Sequence, residues 1–428
     1  MREMKRALVL AGGGSKGSYE FGFVKALYEH GYHFDIVTGT SIGALNACMI
    51  AQKNTIEEME KLWDHLDFDH VFASMPDIKG MSEDYMTQKA IAVNFFKGYL
   101  ENRGADVRPF YEIVRGLLDE KALLDSNIDF GLCTVKYPSL KPVYITKNEM
   151  PYIHIYDYLL ASAACFPAFP MIEIDGEKYL DGGYYDNLPI DLAIRMGADE
   201  IIAVDLHGPD KDIIHACYLN RPHIIYSRPY SDLGTFMNFD PEVIARNKRL
   251  GYLTGLKTIG ILEGKKYSFH TYNGKLFDAF YRHILLVESS KRTLFNNDDA
   301  PLTEVLQIRN NHSPLALKDY TYLTIDDLGD LIQADELVIY DFETFLQEAL
   351  DRFAIYRNQD YMSGTLKEDV KTFIKDMNKE RLVGSMYHMF LYPQNESIDM
   401  LNFVNVFPKE LLIAMLLYDY SRMISEER

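Results

Sequence analysis

Two stretches decide how this chain reads: "LVLAGGGSKGSYEFGFVKAL" (residues 8–27) and "FDIVTGTSIGALNA" (34–47). Each is a short apolar run that breaks at small residues and then resumes with helical spacing, the pattern of strand, turn and helix. In the first turn, Gly12, Gly14 and Gly17 match G-x-G-x-x-G, a loop that bends sharply and aims backbone N–H groups at an anion. In the second, Gly39-Thr40-Ser41-Ile42-Gly43 matches G-x-S-x-G, a strained turn that presents a serine hydroxyl at a helix N-terminus. One loop suggests nucleotide binding and the other ester cleavage, and the two readings need different partners.

A dinucleotide site needs an acidic residue at the end of the second strand to hold a ribose hydroxyl. Here that strand ends in Thr38-Gly39-Thr40-Ser41, and Asp35 stands at its beginning. A phosphate-binding P-loop is also mismatched, because Lys16 is followed by glycine. The same amides can instead stabilise an oxyanion beside a nucleophile. The plainer alternatives are a glycine turn for tight packing, a solvated Lys16 rather than one that holds a head-group phosphate, and Ser41 as a simple helix cap.

A serine nucleophile needs a base. Of the twelve histidines, His30 and His33 flank a turn and His154 and His207 are isolated, so none stands in a catalytic context. Asp181, in "YLDGGYYDNLP" (179–189), follows a strand pattern and precedes Gly182 and Gly183, which permit a tight turn. As a base it would need a sheltered site that raises its pKa. Taken alone, Asp-Gly-Gly is an ordinary turn, and spacing does not join it to Ser41.

The surrounding pattern alternates strand and helix to about Leu206. Strands are expected at Arg6–Ala11, Phe34–Thr38, Phe130–Val135 and Val143–Thr146, and "MIEIDGEKYL" (171–180) reads as a hairpin turning at Asp175-Gly176. Helices are expected at Tyr19–Glu29 and Ile42–Ala51, and a third from the capping box Thr55–Glu58. Residues 64–125 suggest an inserted, lid-like elaboration. Asp240-Pro241 opens a helix reaching about Leu250. Beyond about residue 260 the chain reads as mainly helical; Phe342, Phe345, Leu346, Ala349, Leu350 and Phe353 mark one apolar face. Strands alternating with helices imply a largely parallel sheet covered on both faces.

Bulk properties narrow the classes. The net charge of −19 argues against a nucleic-acid partner, whose phosphates need a basic surface. The four cysteines, Cys48, Cys133, Cys165 and Cys217, form no CxxC pair, which fits a reducing cytoplasm. The apolar run Leu411–Tyr418 is far short of the ~20 residues of a membrane span. Arg246, Lys248 and Arg249, with Lys265 and Lys266 nearby, are the candidates for peripheral contact with a membrane surface, against the alternative of a solvated helix face.

"GGGSKG", "GTSIG" and "DGG", with "ASAACFPAFP" (161–170) and "DGGYYDNLP" (181–189), resemble the patatin-like phospholipase family in order and context; "FMNFDPEVIARNKRLGY" (236–252) looks like that domain's end. The resemblance covers residues 5–260, with the motifs inside 5–206, and leaves 261–428 as a helical region of open role. It implies a three-layer α/β/α fold around a mostly parallel sheet. It also implies a Ser–Asp dyad without histidine, with Ser41 as nucleophile and Asp181 as base. Gly12, Gly13 and Gly14 would form the oxyanion hole, with Lys16, Gly17, Gly39, Gly43, Gly182 and Gly183 completing the motifs. The implied reaction is hydrolysis of a phospholipid or other acyl-ester lipid through an acyl-enzyme, with no metal and no cofactor. The readings that compete with it are a dinucleotide-binding enzyme and a non-catalytic lipid-binding scaffold.

Overall fold

Strands buried on both faces need apolar or small side chains at every position. The segments RALVL, IVTGT and EIIAV meet that need except at Arg6 and Glu200, which pair with each other at 2.9 Å at the half-exposed strand starts. They form the centre of the sheet as β1 (Arg6–Leu10), β2 (Ile36–Thr40) and β7 (Glu200–Val204). The computed structural model describes residues 4–72, 107–208, 216–218, 221–295, 299–310, 314–358, 378–393 and 404–426. Contacts divide the chain into two units, residues 1–259 and 260–428.

In the first unit, β8 (Ile224–Ser227), β7, β1, β2 and β3 (Asp129–Tyr137) run parallel in that order. The sheet is mixed rather than uniformly parallel, because β4 (Lys141–Thr146), β5 (Ile172–Ile174) and β6 (Glu177–Asp181) join antiparallel. Short turns make the two hairpins. Asp175 and Gly176 both have positive φ, at 49° and 78°, as a tight two-residue turn between β5 and β6 requires.

Period-two alternation in β2 separates the layers. Thr38 and Thr40 point to one side and donate to the carbonyls of Pro189 and Asp186, beside α8 (Ile190–Arg195). Gly39 points to the other, against α2 (Ile42–Ala51). Helices therefore cover both faces, giving three layers. Of the stretch read as lid-like, residues 73–106 lie outside the described residues. It is flanked by α3 (Ile56–His65) and α4 (Phe68–Val71) on one side, and by α5 (Arg108–Leu117) and α6 (Glu120–Asp125) on the other. The Thr55–Glu58 capping box that opens α3 is formed in both directions. Helix α7 (Ile155–Ser162) precedes the β5–β6 hairpin.

The helix opened by Asp240-Pro241 does not stop near Leu250; α9 runs from Pro241 to Thr258. Gly251 looks like a stop signal but is a packing contact. A Cβ there would overlap the carbonyl of Tyr19 on α1 (Gly17–Glu29), and a Cβ at Gly22 would overlap the carbonyl of Lys248. The two backbones cross too closely for a side chain between them, so α1 is buried along most of its length instead of along one stripe.

Among its described residues the second unit is helical apart from a two-residue parallel pair, β9 (Ser268–Phe269) with β10 (Ile339–Tyr340). Its helices are α10 (Leu276–Phe295), α11 (Pro301–Arg309), α12 (Leu317–Ile332), α13 (Phe342–Arg352), α14 (Lys379–Leu391) and α15 (Pro408–Glu426). The short apolar run 411–417 is buried because α15 packs against each of the five other helices among the described residues. The apolar face from Phe342 to Phe353 is buried at all six positions.

The α1–α9 crossing makes a test of packing. Gly22→Ala and Gly251→Ala should each cost about 1–3 kcal/mol by overpacking. Thermal melting of the full chain should show midpoints several degrees lower. Gly116→Ala is the control: its position on α5 is open, and it should be neutral or slightly stabilising. Equal midpoints for all three would contradict the crossing.

Candidate active site

The register along β3 brings the two ends of the site together. Gly131, Leu132 and Cys133 pair with β2 on one edge and with β4 on the other. Thr134, Val135 and Lys136 pair with β4 on that same second edge, so their other partner, β6, lies on the edge of β2. Strand β2 climbs to Thr40, opposite Cys133; β6 runs the other way and ends at Asp181, opposite Thr134. The two strands meet end to end on adjacent rungs. The chain leaves β2 at Ser41 and leaves β6 through the turn Gly182–Tyr184. The Ser41 hydroxyl lies beside the Asp181 carboxyl and pulls its pKa down.

Ser41 has φ 55° and ψ −126°, a conformation that costs a non-glycine residue about 1–3 kcal/mol. Its neighbours make room for it. A Cβ on Gly39 would overlap the carbonyl of Gly43, and one on Gly43 would lie 2.5 Å from the carbonyl oxygens of Leu10 and Ala11. The Ser41 N–H donates to Ser162 Oγ at 2.9 Å, and Ser162 in turn donates to the Cys133 carbonyl at 2.7 Å. Ser41 thus stands at the head of α2 without capping it through its side chain.

Asp181 is 6% exposed. Burial pushes its carboxyl up to about 6, against the pull of the Ser41 hydroxyl and of the Gly183 N–H, which donates to Oδ1 at 2.7 Å. Gly182 allows the end-on approach of the strands: a Cβ there would overlap the Cys133 carbonyl and lie 2.8 Å from Thr40 Cγ2. Among the described residues no histidine hydrogen-bonds Ser41 or Asp181. His154 sits between Asp157 and Asp175, and His207 is held by Asp205.

The glycine loop lies beside Ser41. Asn187 clamps it, taking the Gly12 N–H at 3.1 Å on its carbonyl and donating Nδ2 to the Gly12 carbonyl at 2.9 Å. A Cβ on Gly12 would lie 3.1 Å from Ser41 Cβ, so the loop and the serine touch. Gly13 and Gly14 donate their N–H groups to no acceptor among the described residues, whereas the Ser15 N–H is taken by the Phe236 carbonyl at 2.8 Å. Lys16 ends the single turn Gly14–Lys16 and is half-buried. Gly17 opens α1 and packs on Ile42, whose Cγ1 would lie 2.5 Å from a Cβ there.

Two residues of this arrangement have no signal of their own in the sequence reading: Ser162, inside "ASAAC", and Asn187, inside "DNLP". Each acts through a backbone group of a distant segment. The basic residues singled out for membrane contact are largely engaged. Lys248 pairs with Asp64, Lys265 with Asp319 at 3.0 Å and Lys266 with Asp330 at 2.5 Å. Arg246 donates to the Asp232 carbonyl at 2.9 Å, and Arg249 lies over the Tyr252 ring. Among the described residues no cluster of three His, Cys, Asp or Glu is arranged to hold a metal, and no helix is long and apolar enough to cross a membrane.

Lysophospholipase nte1 of Aspergillus terreus is 30% identical over 207 residues, which is 47% of this chain and 12% of that protein. Patatin-like phospholipase domain-containing protein 6 of Homo sapiens is 24% identical over 274 residues, 61% of this chain and 18% of that protein. The chain therefore spans less than a fifth of the length of either relative. The crystal structure of VipD from Legionella pneumophila aligns over 98% of this chain and 91% of that one, at 14% identity and a TM-score of only 0.41. The family model described as patatin-like phospholipase matches residues 8–194, the stretch that holds the glycine loop, Ser41 and Asp181, and in this stretch the chain resembles that family.

Proposed function

We propose that this protein is a serine lipid acyl hydrolase of the phospholipase A or lysophospholipase type, working through Ser41 and Asp181. The observation that carries the reading is the placement of Ser41 beside the Asp181 carboxyl where β2 and β6 meet, with that carboxyl raised to about 6. A buried base of that pKa is ionised at neutral pH, yet basic enough to accept a hydroxyl proton.

In this reading Ser41 Oγ attacks the ester carbonyl carbon while its proton passes to Asp181. The carbonyl oxygen becomes an oxyanion, and the unengaged N–H groups of Gly13 and Gly14 receive it. Gly12, whose own N–H is held by Asn187, contributes close approach instead of a donor. The intermediate collapses, the alcohol half leaves with the proton from Asp181, and an acyl-Ser41 ester remains. Water then gives a proton to Asp181 and attacks that ester; the second intermediate releases the fatty acid and returns the proton to Ser41. Nucleophile, base and oxyanion donors all come from the chain.

Phospholipid or lysophospholipid is the substrate class we favour, because the relatives' names specify it. In this reading the enzyme works in the cytoplasm and meets its lipid at a membrane surface. Against a dinucleotide site stands the filling of the glycine loop's outer side by the chain's own Thr235 and Phe236 carbonyls, which take the Ser15 hydroxyl and N–H. Against a pure scaffold stands the placement of Ser41 beside a buried carboxyl raised to about 6.

Ser41→Ala and Asp181→Asn should each reduce fatty-acid release from lysophosphatidylcholine by at least 10³-fold (roughly). Undiminished release by either purified variant would refute the roles, and a folded wild type that a fluorophosphonate cannot label would favour the scaffold. Wild-type kcat/KM should fall tenfold per pH unit below about 6, as Asp181 gains its proton. A flat profile down to pH 4.5 would exclude that base.

The same shift has a consequence for stability. A carboxyl whose pKa is raised on folding binds its proton more tightly in the native state, so its contribution is fully present below its unfolded pKa and is lost as pH rises through about 6. Asp181→Asn should therefore melt above wild type at pH 8 by a few degrees, with the gap closing toward pH 4. A variant that melts lower at pH 8 would contradict the burial cost.

A further inference from the structure

Behind the glycine loop lies a second buried carboxyl that the proposed reaction does not use. Glu20, in the first turn of α1, is 0% exposed, and among the described residues no lysine or arginine pairs with it. Its Oε2 accepts from Asn46 Nδ2 at 3.0 Å. The same Nδ2 donates to the Gly17 carbonyl at 3.1 Å, and Asn46 Oδ1 accepts from Trp63 Nε1 at 3.2 Å. The Ala11 N–H, donated to Val204 at 3.2 Å, also pulls on the Glu20 carboxyl, although Oε1 itself makes no hydrogen bond of good geometry.

The elements joined here are the ones that carry the site. Ala11 is the residue before Gly12. Glu20 and Gly17 are on the helix that follows the glycine loop, and Asn46 is on the helix that Ser41 begins. Trp63 supports Asn46 from α3. We propose that Glu20, acting through Asn46, is a positioning residue that sets the spacing between the loop's amides and the Ser41 hydroxyl.

The chemistry of the position argues for geometry over charge. A buried carboxylate with no cation would cost far more than a neutral acid. Burial, with Asp205 adding to it, pushes the Glu20 carboxyl well above the usual range, against the pull of Asn46 and Ala11. Glu20 is thus an uncharged polar link. Links of this kind in a core add little stability over a hydrophobic residue of similar size. What the link supplies is a fixed register between α1 and α2, whose first turns already touch at Gly17 and Ile42. A displacement of about 1 Å between nucleophile and oxyanion donors can cost 10²-fold in rate.

The inference rests on the hydrolase reading, and the test separates the two. In the full-length protein, Glu20→Leu should lower kcat on a soluble p-nitrophenyl ester by about 10- to 100-fold with KM within twofold. Fluorophosphonate labelling of Ser41 should slow by a similar factor. Glu20→Gln, which keeps the shape and the acceptor for Asn46, should retain kcat within about threefold. Glu20→Leu with Asn46→Leu should be no worse than either alone, because both break one linkage. Wild-type kcat in Glu20→Leu, or equal loss in Gln and Leu variants, would overturn the proposal. Should Glu20→Leu melt early, Asn46→Ser, too short to span to Glu20, carries the same readouts. A wild type as inert as Ser41→Ala would sink the hydrolase reading instead.

Discussion

Everything at the site depends on β3 being longer than either strand beside it. At nine residues it has room for β2 along its first half and β6 along its second, on one edge. Parallel β2 and antiparallel β6 point at each other and must both leave the sheet where they meet. An ordinary parallel sheet brings loops together only at the carboxyl ends of neighbouring strands. Here a head-on junction inside the sheet does so, which places Ser41 and Asp181 within hydrogen-bonding reach although 140 positions separate them. The hairpin carrying β6 is therefore more than an edge extension: its direction aims Asp181 back at β2.

A junction so tight leaves little room, and the composition around it follows from that. Gly39 and Gly43 yield space to the strained Ser41, and Gly182 yields space to the Cys133 carbonyl. Thr38 and Thr40 bury hydroxyls that would be costly unpaired, and both find carbonyls in the segment 186–189. That segment also supplies Asn187, which holds the glycine loop at Gly12. One stretch, Asp181–Pro189, thus provides the buried carboxyl, braces the strand that ends at Ser41 and clamps the glycine loop.

How much of this was legible in the sequence depended on whether the determining contact is local. The Asp175-Gly176 hairpin and the Thr55–Glu58 capping box are local, and both are found at those residues. The demand for small residues around Ser41 is local too. The pairing of Ser41 with Asp181 is not, because it is set by the register on β3, and the family resemblance carried that reading where spacing alone did not. The helix expected to end near Leu250 shows the opposite error: α9 runs on for two further turns, and the constraint on Gly251 comes from Tyr19 across a helix crossing. Ser162 and Asn187 were invisible for the same reason: each serves a backbone group more than a hundred residues away.

Two carboxyls flank the glycine loop, and their surroundings set them apart. Asp181 is buried, but it accepts from the Gly183 N–H, has the Ser41 hydroxyl beside it, and is held at about 6, near the range where a proton can come and go. Glu20 is buried more completely, has one well-formed donor in Asn46, and faces a further carboxylate in Asp205. The first environment lets the carboxylate lose its charge when the neighbouring hydroxyl passes it a proton and regain it afterwards; the second, buried with no cation, disfavours a charge. Pairs of acids whose environments push their pKa values apart divide labour between them. On that basis the proposed roles divide: proton transfer falls to the acid beside the hydroxyl, and spacing to the acid behind the loop.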